Sequence, residues 1–337
     1  PVDAKVLVIY GGGSIKNNGI FDQVIDALGS REWHAFSGIE PNPNYDTLIK
    51  SLPIINEKKI NYLLAVGGGS VIDGSKFIAA AAKFESGEPW DIIAKRAKIT
   101  QALPLGVVLT LPATGSESNN SGVVTRNGHK LPFANKLLRP QFAVLDPQVT
   151  LSLSDRQIAN GIIDAFVHVM EQYLTFDVNA KVQDRFSEGL LLTLIEEGPK
   201  ALDSQTKDNL DLRANAMWSA TMALNGLIGA GVPQDWTAHM IGHELTGLYN
   251  IDHARTLSIT LPAVMKVRRD AKRDKLLQYA ERVWNVLDGS EDQRINKAIE
   301  LTERFFKTMN VPTRLSEVGL DASHIDTIID KLQQHGM

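Results

Sequence analysis

Cysteine is absent from this chain of 337 residues. That excludes disulfides, thiolate metal ligands and cysteine nucleophiles, and it fits a reducing, cytoplasmic setting. Charge of one sign is scarce too. The 35 Lys and Arg against 39 Asp and Glu leave a net charge of −4, too little basic character for nucleic acid or an anionic membrane as partner. Long apolar runs are missing: none approaches the roughly 18 residues a membrane-spanning helix needs. What remains is an ordinary globular composition, 43% hydrophobic and 22% charged, on a chain long enough for two domains with a core each.

The first half alternates. Residues 5–10 form an apolar, β-branched run that reads as a buried strand and stops at Gly11-Gly12-Gly13-Ser14. A helix is expected over 19–28, a rigid loop at 40–44 and a second helix over 45–57. Residues 61–66 read as the next strand, ending at Gly67-Gly68-Gly69-Ser70 before an alanine-rich helix over 71–83. Further strands are expected at 105–109 and 142–146. Alternating strands and helices with short glycine turns predict a parallel α/β sheet. After about Ser152 strand signals stop. Ser154 is placed to cap a helix beginning near Asp155. Helical patterns follow over 154–175, 178–197, 207–229, 233–247, 253–268, 270–287, 291–309 and 322–334. The expected organisation is an α/β domain over 1–152 and an all-helical domain over 153–337. The charged run 266–275 reads as a solvated helix face.

Gly67-Gly68-Gly69-Ser70, between strand and helix, suits a phosphate: glycine lets the backbone approach an anion and the helix start supplies N–H groups. A tight strand–helix turn with no ligand is the plainer reading, but three glycines exceed what such a turn needs. The spacing is not G-x-G-x-x-G. Asp73, one turn on, either faces the nicotinamide side or merely favours the helix N-terminus. The turn Gly11 to Ser14 has no Asp or Glu anywhere from Tyr10 to Ile20. An acidic residue there would hold a ribose 2′-hydroxyl; its absence favours a 2′-phosphate, hence NADP(H). Thr110 and Thr114 place hydroxyls at the carboxyl end of a strand, where they either touch a cofactor or cap the next helix.

The second half holds the densest chemistry. Asp164 and His168 are four apart, as are His239 and His243, and Asp252-His253 follows. Helical i, i+4 pairs share a face. A lone histidine in apolar sequence is usually a satisfied core residue. Two such pairs in apolar helices are harder to bury without a counter-charge. A carboxylate with two or three imidazoles is a ligand set for Fe²⁺ or Zn²⁺. The set is not the H-E-x-x-H of metalloproteases, since Met240 follows His239. Spacing alone does not choose between His239 and His243.

Four stretches, GGGSVIDGSK at 67–76, LPATGSESN at 111–119, GIIDAFVHVMEQY at 161–173 and GVPQDWTAHMIGHELTGLYNIDHA at 231–254, resemble the iron-containing, or group III, metal-dependent alcohol dehydrogenases. Within that family the chain looks like the branch of NADPH-dependent aldehyde reductases and butanol dehydrogenases. The resemblance runs almost end to end. It implies a Rossmann-like N-terminal domain plus an all-helical C-terminal domain, the fold shared with dehydroquinate synthase. It implies one divalent metal, Fe or Zn, on Asp164, His168, His239 and His253, with His243 beside the substrate oxygen as a catalytic proton relay. It aligns Gly67, Gly68, Gly69 and Ser70 with a pyrophosphate loop. Asp73, Thr110, Thr114 and Asn119 match positions near the cofactor, Asp73 being a candidate for catalysis as well, and Lys130 matches a lysine that reaches the cofactor. Gly12, Gly13 and Ser14 fall where NAD-using members carry an aspartate, which again favours NADP(H).

The implied reaction is reversible reduction of a small aldehyde to a primary alcohol. The resemblance also implies a homodimer. Members usually carry a β-hairpin region ahead of the first strand, which contributes to that dimer, and chain beyond the last helix seen here. Two rival readings stand beside the dehydrogenase. One is a lyase on the dehydroquinate synthase-like fold, which would need cleft cations, whereas 161–175 and 231–255 carry only Arg255. The other is a truncated, non-catalytic interaction protein.

Overall fold

The apolar runs of the first half line up side by side. The structure, a computed structural model, describes residues 3–336, and the backbone divides into two compact units, the first ending at Ser152 and the second starting at Leu153. The strands of the first unit are β1 (Val6–Tyr10), β2 (Trp33–Phe36), β3 (Tyr62–Gly68), β4 (Leu105–Leu111), β5 (Ser121–Arg126), β6 (His129–Ala134) and β7 (Phe142–Leu145). Its helices are α1 (Ser14–Asn17), α2 (Ile20–Leu28), α3 (Tyr45–Leu48), α4 (Ser51–Glu57), α5 (Gly69–Ala81) and α6 (Asp91–Ala94). Five strands form one parallel sheet in the order β2-β1-β3-β4-β7. All five residues of β1 are buried, as a strand covered on both faces requires.

Three features depart from the sequence expectation, each for a local reason. The helix expected over 45–57 is broken into α3 and α4. Pro53 has no N–H to donate, and its ring crowds the carbonyl four residues back, at Ile49. β2 escapes the pattern because it is a short edge strand in which only Phe36 is buried. β5 and β6 form a separate antiparallel hairpin. It turns on Asn127 and Gly128, both at positive φ, 52° and 76°, the mirror-image turn that Asn-Gly favours.

The second unit is helical throughout: α7 (Asp155–Tyr173), α8 (Lys181–Glu197), α9 (Leu210–Leu224), α10 (Thr237–Tyr249), α11 (His253–Val267), α12 (Arg273–Arg282), α13 (Glu291–Thr308) and α14 (Ile325–Gln334). Ser154 caps α7 reciprocally with Gln157, a capping box. α9 begins where Asn209 accepts a hydrogen bond from the Asp211 N–H, at 2.8 Å, not at 207. Every residue of α7 from Gly161 to Tyr173 is buried, so α7 is the core helix of this unit, packed on α8, α9 and α11. Phe166 anchors it against Phe305 and Phe306, with ring centroids 5.2 and 5.6 Å away. A buried helix must satisfy every polar side chain it carries, and α7 carries Asp164, His168, Glu171 and Gln172. No helix among the described residues is long and apolar enough to cross a membrane.

Candidate active site

In the first unit the chain leaves β1 toward β2 on one side and places β3 on the other. The order therefore reverses between β1 and β3, and open α/β sheets bind ligands outside the carboxyl ends of strands at such a point. Both glycine stretches lie there: Gly11 to Ser14 follows β1, and Gly67 to Ser70 spans the end of β3 and the start of α5. Gly13 has φ +104°, and a Cβ on Gly12 or Gly13 would meet nothing within 4 Å. The turn is open on its outer side, and Lys16 is held 5.3 Å from the Tyr10 ring centroid and 5.1 Å from that of Phe21.

The second turn is tight. A Cβ on Gly67 would lie 2.6 Å from Val71, and one on Gly69 would lie 2.5 Å from Thr114. Packing demands glycine at both places whether or not an anion binds. α5 starts with no side-chain cap, which leaves its first N–H groups available to a ligand. The Ser70 hydroxyl accepts a hydrogen bond from the Asn42 N–H at 3.2 Å. Opposite Gly67 and Gly68, β4 pairs through Leu109 and Leu111, so Thr110 is the extra residue of a bulge. Bulges re-aim side chains next to functional sites.

Asp73 sits inside a hydrogen-bond network. It is buried. One carboxylate oxygen accepts from the Ser116 hydroxyl at 2.6 Å and the other from the Val123 N–H at 2.9 Å. The Lys76 ammonium donates to Ser116 Oγ at 2.8 Å, Asn119 Oδ1 at 2.9 Å and the Ser121 carbonyl at 2.6 Å. Asn119 also donates to the Gly115 carbonyl. These bonds tie α5 to the 112–121 loop and to β5. Burial pushes the Asp73 carboxyl up, against the pull of Lys76 and of its hydrogen bonds. Burial pushes Lys76 down to about 8, against the pull of Asp73. Lys130, buried on β6, adds positive charge near Asp73. Each oxygen of Asp73 thus accepts a hydrogen bond inside the unit, which fixes the residue against the 112–121 loop and β5.

The second unit gathers the imidazoles. α7 supplies Asp164 and His168, α10 supplies His239 and His243, and His253 is the first residue of α11. Gly242 lets α10 and α11 meet closely, since a Cβ there would lie 2.7 Å from Thr256 Oγ1. The Asp252 carboxylate joins α7 to the start of α11 by accepting from Arg156 Nε at 2.7 Å and Asn160 Nδ2 at 2.8 Å. The result is a contiguous cluster. The rings of His168 and His239 stack at 4.6 Å, His239 and His253 lie 5.2 Å apart, and His243 and His253 lie 4.9 Å apart. Trp236 meets His168 and His239 edge-on.

At its centre is one atom. Asp164 Oδ1 is 3.9 Å from the Nε2 of His168, of His239 and of His253. Ligand atoms of Asp164, His239 and His253 all lie within 4.8 Å of one another. At 3.9 Å none of these contacts is a hydrogen bond, and Asp164 Oδ1 is buried with no hydrogen-bond partner among the described residues. An ionised carboxylate in that state costs several kcal/mol. Around an ion bound at about 2.0–2.2 Å, neighbouring tetrahedral ligand atoms stand roughly 3.3–3.6 Å apart, close to what the cluster already shows. The donor set and its spacing fit a divalent cation. His243 is buried beside His253 and His239, its ring centroid 4.9 and 6.2 Å from theirs.

Three residues that spacing alone did not single out complete the picture. Lys76 closes the network of the first unit. Trp236 walls the imidazoles. Glu171 is buried on α7 and contacts His239 Nδ1 through one oxygen; the other accepts the N–H groups of Ala238 and His239. Burial pushes its carboxyl up to about 8, against those two N–H groups. Glu171 was legible: Asp164, His168 and Glu171 fall at i, i+4 and i+7, one face of a helix.

Comparison with known proteins finds matches over almost the whole chain. Residues 2–147 match the family described as iron-containing alcohol dehydrogenase, and residues 158–336 match its C-terminal family. The chain is 58% identical over 341 residues to the NADPH-dependent aldehyde reductase YqhD of Escherichia coli K12, covering 100% of this chain and 88% of that one. It is 41% identical to the NADP-dependent alcohol dehydrogenase 3 of Entamoeba histolytica, covering 99% and 86%. The crystal structure of Escherichia coli K-12 YqhD superposes with a TM-score of 0.98 at 57% identity, covering 100% of this chain and 87% of that one.

Proposed function

Because the chain belongs to the iron-containing alcohol dehydrogenases, we propose that it reduces small aldehydes to primary alcohols with NADPH, reversibly, in a cytoplasmic setting. The observation that carries the reading is the single Asp164 oxygen set 3.9 Å from three imidazole nitrogens. Asp164, His168, His239 and His253 would hold one divalent ion, Fe or Zn. When bound, that ion supplies Lewis acidity toward the substrate oxygen.

The chain's own residues supply the rest. The turns at Gly12, Gly13 and Ser14 and at Gly67, Gly68, Gly69 and Ser70 hold the dinucleotide. The first carries no acid to oppose a 2′-phosphate. Thr110, Thr114, Asn119 and Lys130 line the cofactor's side of that unit, and Asp73 with Lys76 fixes the loop that bears Thr114 and Asn119. When bound, the nicotinamide would supply a hydride to the carbonyl carbon, and the product oxygen would then need a proton. His243, buried next to His253, delivers it. Aldehyde, NADPH and one proton thus give alcohol and NADP⁺.

The test is NADPH consumption with butyraldehyde by the metal-loaded chain, with and without chelator. Turnover that survives complete metal removal would sink the reading. A thermal shift with NADPH that exceeds the shift with NADH is expected as well. The homodimer that the family likeness implies belongs to the same proposal, and light scattering of the full chain checks it.

A further inference from the structure

We propose that Glu171 is a positioning residue that selects the tautomer of His239 and aims its Nε2, and so sets the affinity of the cluster for its cation. The inference rests on the metal-binding reading above. Glu171 lies on the same face of α7 as Asp164 and His168 and is buried. Its two oxygens have separate duties. Oε1 accepts the N–H of Ala238 at 2.6 Å and that of His239 at 3.2 Å. These belong to the first turn of α10, whose own N-cap, Trp236, offers no side-chain hydrogen bond. Glu171 therefore caps α10 from another helix. Oε2 contacts His239 Nδ1. A cation held at Nε2 would take the lone pair there, so in the loaded site the ring proton belongs on Nδ1, where Oε2 is placed to accept it. Nε2 is the atom 3.9 Å from Asp164 Oδ1. Fixing the helix start and the ring together leaves His239 one orientation, with its lone pair aimed at the carboxylate.

Glu171→Gln separates the two duties. The amide fills the same volume. If its oxygen keeps the two N–H groups of α10, its NH₂ faces Nδ1. That moves the ring proton to Nε2 and blocks coordination. We expect Zn²⁺ affinity, measured by titration of the chelator-stripped chain, to fall about 10- to 100-fold. The visible spectrum of the Co²⁺-loaded chain should change with it. The melting temperature of the metal-free chain and its shift with NADPH should stay near wild type. Zn²⁺ affinity within twofold of wild type, with an unchanged Co²⁺ spectrum, overturns the proposal. His239→Ala keeps the two failures apart: if it binds Zn²⁺ as wild type does, the metal reading itself is wrong. Should Glu171→Gln not fold, ¹⁵N spectra of the histidine-labelled, metal-free wild type decide. Protonation of His239 at Nδ1 supports the inference, and protonation at Nε2 overturns it.

Discussion

The two buried polar clusters of this chain are built alike and end differently. In the first unit, Asp73 and Lys76 bring opposite charges together and are joined through Ser116, with Asn119 alongside, by hydrogen bonds of 2.6–2.9 Å. In the second, Asp164 brings a carboxylate among three imidazoles, and its contacts stop at 3.9 Å. A network that satisfies itself needs no ligand and rigidifies what it touches. A network held open by its own helices is stabilised by what enters it. The closed cluster therefore holds the 112–121 loop against α5, and the open one is the proposed cation site.

Emptying the open cluster should do most harm to activity and least to the fold. His253→Ala should lower kcat/KM by at least about 10⁴-fold, some 5 kcal/mol, with the chain folded and stripped of metal. Full metal content at normal turnover would remove His253 from the ligand set. Breaking the closed cluster should do the reverse. Lys76→Met leaves Asp73 buried without its counter-charge and should cost about 3–5 kcal/mol in urea unfolding. Adding Asp73→Asn should restore much of that; a double variant as weak as the single one would show that the pair does not act as a unit.

The same lysine gives the closed cluster a pH signature. Lys76 is held at about 8 against an ordinary 10.5, so between those values the unfolded chain binds the extra proton and stability rises with pH. The gain is complete above 10.5 and lost as pH falls through about 8, with a slope of at most about 1.4 kcal/mol per pH unit. Subtracting the Lys76→Met profile from the wild-type profile isolates it, and a flat difference would contradict it.

Smaller effects sharpen the contrast. His243→Ala should keep its metal and slow turnover about 10²-fold, with an altered pH profile; loss of metal would move His243 into the ligand set. Gly242→Ala drives a methyl onto Thr256 and should cost about 1–3 kcal/mol in thermal or urea unfolding, loosening the contact of α10 with α11. An unchanged melting temperature would show that the helices can part at no cost. Gly13→Asp should raise the KM for NADPH about tenfold by repulsion. Gly13 sits at φ +104°, so any side chain strains the turn. Gly13→Asn is the control for strain, and equal KM values for the two would rule out a 2′-phosphate at that turn.

Much of this was legible in advance, because it depends on neighbours in the chain. Ser154 and Gln157 set the start of α7, and the i, i+4 pairs set which histidines share a face. The glycine turns marked the ends of β1 and β3. The hairpin at Asn127-Gly128 carried a readable turn signal that the surrounding strands, short and half polar, obscured. Lys76 was not legible as a network member, because Ser116 and Asn119 lie 40 and 43 residues away.

By itself the sequence determined the parallel α/β half, the helical half, and a set of ligand-type side chains, since helical and strand periodicity and turn chemistry act over a few residues. Only the tertiary structure decided what each polar group is for. It set the two oxygens of Asp73 against Ser116 and Val123, put Glu171 against His239, and left Asp164 Oδ1 without a hydrogen bond among the described residues. Those outcomes depend on which helices and strands meet, and burial makes each of them costly to leave unmatched.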